Sequence, residues 1–378
     1  MSVWYRKTLK TMKKQVKVGD ILIGGGAPVS IQSMCNTKTS DAKATLAQIR
    51  RLEEAGCEII RLTVPNEEAV EGFKEVKRHA NIPVVADIHF DYRMAIAAMD
   101  AGADKIRINP GNIGGEDRVK AVVDKAKECH VPIRVGVNGG SLEKDILEKH
   151  GRVTAEGLAE SALRNVALLE KYDFGDIVIS LKSSDVQMNY DAYRIVHEKS
   201  DYPLHIGVTE AGTPSRGKVK SAAGVGALLL AGIGDTMRIS LTADPVEEVY
   251  FAQELLAAVG LRKNGPNVVS CPTCGRTEVD LEKIATDVER RLADLYRAEQ
   301  SGALTAPIGG QTAGKSIGDL TVAVMGCAVN GPGEAREADF GVACGRGEGL
   351  LFAKGEIIRK VKEEDIASEL LRLISAGR

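Results

Sequence analysis

PVVADIHFDYRMAIAAMDAGADKIRINPGNIGGEDRVKAVVDKAKECHVPIRVGVNGG, residues 83–140, holds three short β-branched runs separated by two helical stretches. The runs are PVVADIHF (83–90), KIRINPG (105–111) and PIRVGVNGG (132–140). Between them, RMAIAAMDAG and VKAVVDKAKECH carry apolar residues at three- and four-residue spacing, the signature of a helix with one buried face. The same unit recurs on either side. PVSIQSMC (28–35) and EIIRLTVP (58–65) precede it, and DIVISLKSS (176–184), PLHIGVTEAG (203–212) and DTMRISLTADP (235–245) follow. TLAQIRRLEEAG, LAESALRNVALLEKY and VEEVYFAQELLAAVG supply further helices, and the nearly all-apolar AAGVGALLLAGIG predicts a buried one. Eight strand–helix units between about 28 and 260 predict an α/β fold, a TIM-like (β/α)8 barrel. An open doubly wound sheet would carry G-x-G-x-x-G after its first strand, and none is there. QVKVGDILIGGG (15–26) alternates apolar and polar residues and predicts a hairpin across the barrel floor.

Residues 1–262 are thus read as the barrel, and LRKNGPN (261–267) as a linker. From 267 to 378 the pattern changes to strands (VVSCPTCGR, TVAVMGC, ADFGVAC, EGLLFAKGEIIRKV) and two helices (LEKIATDVERRLADLYRAEQ, EEDIASELLRLISAG), a smaller α+β domain. SGALTAPIGGQTAGKSIGD (301–319) reads as a loop.

Composition narrows the function. The chain has 378 residues, 44% hydrophobic and 27% charged, enough to build a large core. Its 50 basic and 52 acidic residues give a net charge of -2, without the basic excess of a nucleic-acid binder. No apolar run reaches the roughly 18 residues of a membrane span. MSVWYRKTLKTMKKQVKVG lacks the apolar segment of a secretory signal, so a cytoplasmic protein is expected. The seven cysteines then point to metal binding, catalysis or burial rather than disulfides.

In such barrels the chemistry gathers where strands end. Side chains alternate with period two, so polar residues of like parity near those ends face the mouth together. Asp87 and His89 share parity, as do Arg107 and Asn109, Arg134 and Asn138, Ser180 and Lys182, and Arg238 and Ser240. Arg61 lies in the second strand and Glu210 just past the seventh. Taken singly, each is readily a solvated rim charge. Together, five cations set in apolar runs meet only two obvious acids, Asp87 and Glu210. Buried cations need anions, and a small diphosphate would supply them. Arg134, Asn138 and the turn VNGGS resemble a phosphate cradle. Glu210, at a strand end beside a glycine and facing the cations, is the acid–base candidate. His89 and His205 read more readily as hydrogen-bonded structural residues.

Cys271 and Cys274 form C-P-T-C-G-R, Cys327 lies in V-M-G-C-A-V-N-G-P-G-E, and Cys344 ends ADFGVAC. A CxxC alone fits a zinc knuckle, a redox pair or a cluster ligand. Structural zinc prefers paired CxxC motifs, and here the remaining cysteines stand singly in glycine- and proline-rich turns. Such turns offer backbone N–H groups to an iron–sulfur cluster. Cys35, Cys57 and Cys129 read as packing residues. GGQTAGKS (309–316) matches a nucleotide-binding loop, but no strand precedes it and a strand rather than a helix follows.

PIRVGVNGGSL, HIGVTEAG, S-C-P-T-C-G-R and V-M-G-C-A-V-N-G-P-G-E-A together resemble the bacterial 4-hydroxy-3-methylbut-2-en-1-yl diphosphate synthases of the methylerythritol phosphate isoprenoid pathway, from about residue 10 to 372. The resemblance implies a TIM-like barrel joined to a smaller iron–sulfur domain with a [4Fe–4S] cluster, its ligands falling on Cys271, Cys274, Cys327 and Glu334. It implies that Arg61, Asp87, Arg107, Arg134, Asn138, Lys182, Arg238 and Ser240 bind the substrate diphosphate, with Glu210 as the acid–base group and Asn330 near the substrate. It further implies a homodimer, in which one subunit's cluster domain covers the other's barrel mouth, and flavodoxin or ferredoxin as electron donor. The implied reaction opens 2-C-methyl-D-erythritol 2,4-cyclodiphosphate reductively to (E)-4-hydroxy-3-methylbut-2-enyl diphosphate.

Two departures stand out: 301–319 reads as an insertion, and Cys344 replaces a small residue, which raises a rival fourth ligand. Glu334 is favoured, because the Gly-Pro-Gly turn can fold it back and a carboxylate leaves an iron more open than a thiolate. Two other classes stay open: an iron–sulfur electron carrier without chemistry of its own, and a zinc-stabilised barrel hydrolase. The strand-end cations speak against the carrier, which needs no anion pocket, and the colour of the anaerobic protein separates cluster from zinc.

Overall fold

The structure, a computed structural model, describes residues 13–302, 315–327, 335 and 337–376. The chain divides into two compact units, Met1–Arg262 and Lys263–Arg378.

The first unit is the barrel. Its eight parallel strands are β3 (Ser30–Met34), β4 (Ile59–Thr63), β5 (Val84–Asp87), β6 (Lys105–Ile108), β7 (Ile133–Asn138), β8 (Ile177–Lys182), β9 (His205–Ile206) and β10 (Thr236–Met237), preceded by a hairpin of β1 (Gln15–Val18) and β2 (Ile21–Gly24). The sheet runs β8-β7-β6-β5-β4-β3-β10-β9, and a parallel bridge from Ile179 to Leu204 joins its ends. Strands seven and eight of the sequence reading are much shorter than expected: only two residues each lie in the ladder. Tyr193 compensates at the seam. Its hydroxyl accepts from Leu181 N at 3.0 Å and lies 2.6 Å from the His205 carbonyl.

The strands are buried on both faces, which is why they read as near-continuous apolar runs. Alternate residues such as Ile60, Leu62, Ala86, Ile106, Ile133 and Ile179 pack outward against the helices. The opposite set points inward. At the floor, Val16, Val18 and Ile23 of the hairpin pack on Ile59, Val85 and Val178. The hairpin is antiparallel, as the alternation predicts. Above the floor the inward set turns polar.

The outer ring contains α1 (Ala42–Glu54), α2 (Glu67–His79), α3 (Tyr92–Asp100), α4 (Glu116–Cys129), α5 (Lys144–His150), α6 (Ala155–Glu170), α7 (Val186–Lys199), α8 (Pro214–Leu230) and α9 (Pro245–Ala258). Most start on a side chain that accepts from the first turn's free N–H groups: Asp41, Asn66, Asp91, Thr154, Asp185 and Asp244. These six caps fix where their βα loops end. The expected buried helix is α8, but only one face of it is covered; Val219 and Leu230 are exposed, as an outer-ring position requires. Arg262 still belongs to the barrel, bonded to the Val29 carbonyl and Glu58, so the linker is shorter than 261–267.

The second unit is a five-stranded sheet ordered β11 (Asn267–Ser270), β12 (Thr321–Met325), β13 (Phe340–Gly345), β14 (Glu348–Ala353) and β15 (Glu356–Lys362). β11 to β13 are parallel and β13 to β15 antiparallel. Helices α10 (Leu281–Gln300) and α11 (Ile366–Ala376) cover one face, placing Val288, Leu292, Leu370 and Ile374 on Val322, Val324 and Val342. No helix among the described residues is long and apolar enough to cross a membrane.

Candidate functional site

The polar interior of the barrel is built by register. Thr63 pairs with Asp87, Asp87 with Arg107, and Arg107 with Arg134 across β4 to β7; Asn138 pairs with Lys182 across β7 and β8. The strand pleat therefore brings Arg61, Asp87, Arg107, Arg134, Asn138 and Lys182 into one lumen. Arg61, Asp87, Arg107 and Arg134 are buried, Arg134 completely.

Asp87 is the anion among them. Its carboxylate lies 3.5 Å from Arg61 Nε and 3.2 Å from Arg107 Nη1. Burial alone would raise its pKa, but Arg61 and Arg107, with Arg134 behind them, outweigh that and hold it well below the usual range. Burial lowers Arg61 to about 10, despite Asp87. Burial, reinforced by neighbouring arginines, also pushes Arg134 and Lys182 well below their ordinary values. Arg61 Nη1, Arg107 Nε and two nitrogens of Arg134 have no hydrogen-bond partner among the described residues. Such donors are unfavourable unless something accepts from them.

Arg238 and Ser240 follow β10, and with Arg61, Ser180, Lys182, His205 and Thr209 they line a narrow pocket of about 20 Å³. That volume holds about one water molecule. Arg238 is not free, as the sequence reading had it: Glu248, in the first turn of α9, lies 3.3 Å from its Nε and also accepts from Leu241 N at 2.9 Å. Burial raises the Glu248 pKa in spite of that arginine. Met34 Sδ accepts from Arg61 Nη2 at 2.8 Å and faces Arg238 Nη1 at 3.6 Å, so one thioether stands between two guanidinium groups.

Gly136 faces the lumen. A Cβ there would stand 2.5 Å from Arg107 Nε, so the missing side chain is what lets the guanidinium lie over β7. Past β7, Gly139–Ser141 form a 3₁₀ turn, where Ser141 Oγ donates to the Asn138 carbonyl at 3.2 Å and Asn109 Nδ2 donates to Ser141 Oγ at 3.1 Å.

Glu210 is exposed and does not line the narrow pocket; it stands outside the buried cations instead of among them. Its backbone has φ 51°, in the left-handed region that glutamate rarely adopts. Strain of this kind collects at functional sites. His205 is buried, 3.4 Å from Thr236 Oγ1, and burial holds it well below the usual histidine range, so it is a neutral structural residue. His89 is half-exposed, 4.0 Å from Asp87.

The cysteines belong to the second unit. β11 and β12 are parallel with Ser270 opposite Val324, so Cys271 and Cys327 follow the same ends of adjacent strands. Gly326 N donates to Cys271 Sγ at 3.1 Å, the type of N–H···S contact that a thiolate ligand uses. Cys274 sits in a turn closed by Thr277 N to its carbonyl at 2.9 Å. The backbone N–H and side chain of Arg276 lower its thiol pKa. These donors fit a thiolate-bound group. Among the described residues, no three His, Cys, Asp or Glu side chains stand close enough to hold a metal ion. Glu334 and Asn330 lie outside the described residues. Cys344 is buried in the core under α10 and α11, and burial pushes its thiol up to about 12. Lys315 and Ser316, from the loop resembling a nucleotide site, are engaged elsewhere: Lys315 pairs with Asp339 at 2.6 Å and Ser316 donates to Glu299 at 2.7 Å.

Two family models divide the chain as the fold does. Residues 13–253 match the GcpE TIM-barrel domain, and residues 267–376 match the GcpE protein C-terminal domain. The chain belongs to the GcpE family. It is 54% identical to a protein of Caldanaerobacter subterraneus subsp. tengcongensis named 4-hydroxy-3-methylbut-2-en-1-yl diphosphate synthase (flavodoxin), covering 97% of each chain. A Bacillus pumilus protein of the same name is 55% identical, over 97% of this chain and 94% of that one. Among solved structures, the dihydropteroate synthase of Stenotrophomonas maltophilia is similar with a TM-score of 0.48 and 16% identity, over 64% of this chain and 98% of that one.

Within this GcpE chain the sequence reading missed four lumen residues: Gln32, Met34, Lys105 and Glu248. Three were within reach of the period-two rule. Gln32 and Met34 share parity with Ser30, and Lys105 lies two residues before Arg107. Glu248 gave no such signal, because an acidic residue in a helix's first turn reads as a favourable dipole partner.

Proposed function

We propose that this chain is the 4-hydroxy-3-methylbut-2-en-1-yl diphosphate synthase its relatives are named for, working as an iron–sulfur oxidoreductase. It converts 2-C-methyl-D-erythritol 2,4-cyclodiphosphate to (E)-4-hydroxy-3-methylbut-2-enyl diphosphate in isoprenoid biosynthesis. The observation that carries the reading is a lumen in which, among the described residues, Arg61, Arg107, Arg134, Lys182 and Arg238 are offset by only Asp87 and Glu248. Charge-assisted bonds to phosphate oxygens give the mouth-facing donors of these side chains, Arg61 Nη1 and Arg107 Nε among them, their acceptors. Asn138 and Ser240 add neutral hydrogen bonds, and Asp87 keeps Arg61 and Arg107 aimed without cancelling the field of the others.

The reaction takes up two electrons and one proton and releases one water, and the ring C–O bond opens with its oxygen kept on phosphorus as one further negative charge. Cys271, Cys274, Cys327 and Glu334 would hold a [4Fe–4S] cluster, with Asn330 beside the substrate. When bound, that group would supply single electrons, drawn from flavodoxin or ferredoxin, for the two C–O cleavages that open the ring and remove the hydroxyl. Glu210 supplies the proton that lets the oxygen leave as water. Its exposed, left-handed position lets it meet substrate from outside the cation layer. A homodimer, in which one subunit's cluster segment serves its partner's barrel, follows from the resemblance.

The test is anaerobic turnover of the cyclodiphosphate with reduced flavodoxin. Glu210→Gln should bind substrate and keep its visible absorption yet lose about 10²–10⁴-fold in rate. Colourless protein with no product would overturn the reading in favour of the zinc-stabilised barrel hydrolase.

A further inference from the structure

Below the mouth lies a second polar layer made by Lys105, Gln32 and the inner edge of Arg134, of which only Arg134 has a proposed part in substrate binding. Lys105 opens β6, one inward step beneath Arg107, and its backbone pairs with Val85, which packs on the floor hairpin. Lys105 and Arg134 are fully buried and Gln32 is 1% exposed. Arg134 Nη1 donates to Gln32 Oε1 at 3.5 Å. Four donor atoms remain without an acceptor among the described residues: Lys105 Nζ, Arg134 Nε, Arg134 Nη2 and Gln32 Nε2. Arg134 is also the charge that bears most strongly on Lys105. Asp104 acts on Lys105 and Asp87 on Arg134, but neither carboxylate forms an ion pair with them among the described residues, so the two enclosed cations call for an anion of their own.

Charge counting agrees. Among the described residues the lumen holds six basic side chains, namely Arg61, Lys105, Arg107, Arg134, Lys182 and Arg238, and two carboxylates, Asp87 and Glu248; with all six protonated, six less two leaves four positive charges. A cyclic diphosphate carries one negative charge on each phosphoryl group, which leaves two unmatched. This half of the argument rests on the proposed substrate; the orphaned donors do not. One water has two lone pairs and two hydrogens of its own, so it cannot serve four donors. A small anion accepts from all of them and offsets charge as well.

We infer that the barrel holds a second anion, a monovalent ion of halide size, beneath the diphosphate site, bound by Lys105, the inner edge of Arg134 and the Gln32 amide. It keeps Lys105 protonated and holds Arg134 in place under Arg107.

Crystals of the full-length holoenzyme grown with bromide in place of chloride test this through bromine anomalous scattering, with and without the cyclodiphosphate. The expected result is an anomalous peak enclosed by Lys105 Nζ, Arg134 and Gln32 in both crystals, and none in Lys105→Met. No peak in the wild type means that a neutral lysine or water fills the layer, and the proposal fails. A peak that the cyclodiphosphate displaces makes this part of the diphosphate site, and a peak that persists in Lys105→Met removes the lysine; either outcome also overturns it. The wild-type crystals decide even if the variant does not fold. Failure of the substrate reading would appear separately, as no cyclodiphosphate binding by calorimetry.

Discussion

Asp87 carries more of the barrel's stability than any one arginine near it, because two buried guanidinium groups depend on its carboxylate. Asp87→Asn keeps the shape and removes the charge. Breaking a buried pair this way costs about 3–5 kcal/mol, read as a lower urea midpoint at neutral pH. The sign of the pH dependence follows from the depressed folded pKa. The carboxylate's contribution is complete above the unfolded value of about 3.9 and lost as pH falls toward the lower folded value. The gap between wild type and variant should therefore close as pH drops from about 5 toward the folded pKa; a constant gap would show that the loss is steric. Lys182 differs in making no ion pair among the described residues while lining the narrow pocket. Lys182→Met should preserve the fold and weaken cyclodiphosphate binding at least tenfold by calorimetry, on the scale of one charge-assisted bond, about 1.5–3 kcal/mol. Unchanged affinity would make it a rim charge.

At the scale of the element, β7 shows how a strand positions chemistry by what it leaves out. Gly136 has no side chain where Arg107 must lie, and a methyl group there meets the tip of a flexible side chain rather than backbone. Gly136→Ala should therefore fold with a near-normal thermal midpoint while displacing Arg107, raising the KM for substrate about tenfold or more and leaving kcat less changed. Equal loss of stability and binding would mean that the strand itself is strained. Such strands were legible in the sequence because parallel strands buried on both faces have a simple signature. Strands β9 and β10 were overextended for a related reason. PLHIGVTEAG and DTMRISLTADP read as runs, but the ladder keeps two residues of each, and Arg238 continues it only through a hydrogen bond to the Ile206 carbonyl at 3.0 Å. Period two predicted which arginines share the lumen, yet it says nothing of a partner arriving from a helix. Glu248 therefore went unseen, and Arg238 was counted as unpaired.

At the scale of the whole molecule, the two units have separate cores, and the proposed chemistry needs residues from both. In the second unit the fourth ligand is tested by a pair of variants. Cys344 fills an apolar core with its thiol pushed up to about 12, so Cys344→Ala should keep its iron and lose only modest stability, whereas Glu334→Ala should lose turnover. Iron loss in the first with activity in the second would reverse the assignment. The proposed sharing between subunits makes a sharper demand. Glu210→Gln would lack the proposed acid in its barrel and Cys271→Ser a proposed cluster ligand, so each variant homodimer should be inactive alone. If one subunit's cluster segment serves its partner's barrel, a mixed dimer contains one fully competent pairing, made from the intact barrel of the Cys271→Ser chain and the intact cluster segment of the Glu210→Gln chain. Random exchange makes half the dimers mixed, so co-refolded or co-expressed protein should recover about a quarter of wild-type turnover. If each chain served its own barrel, every chain in the mixture would carry a defect in its own catalytic set, and activity would stay at the level of the separate variants however long the subunits exchanged.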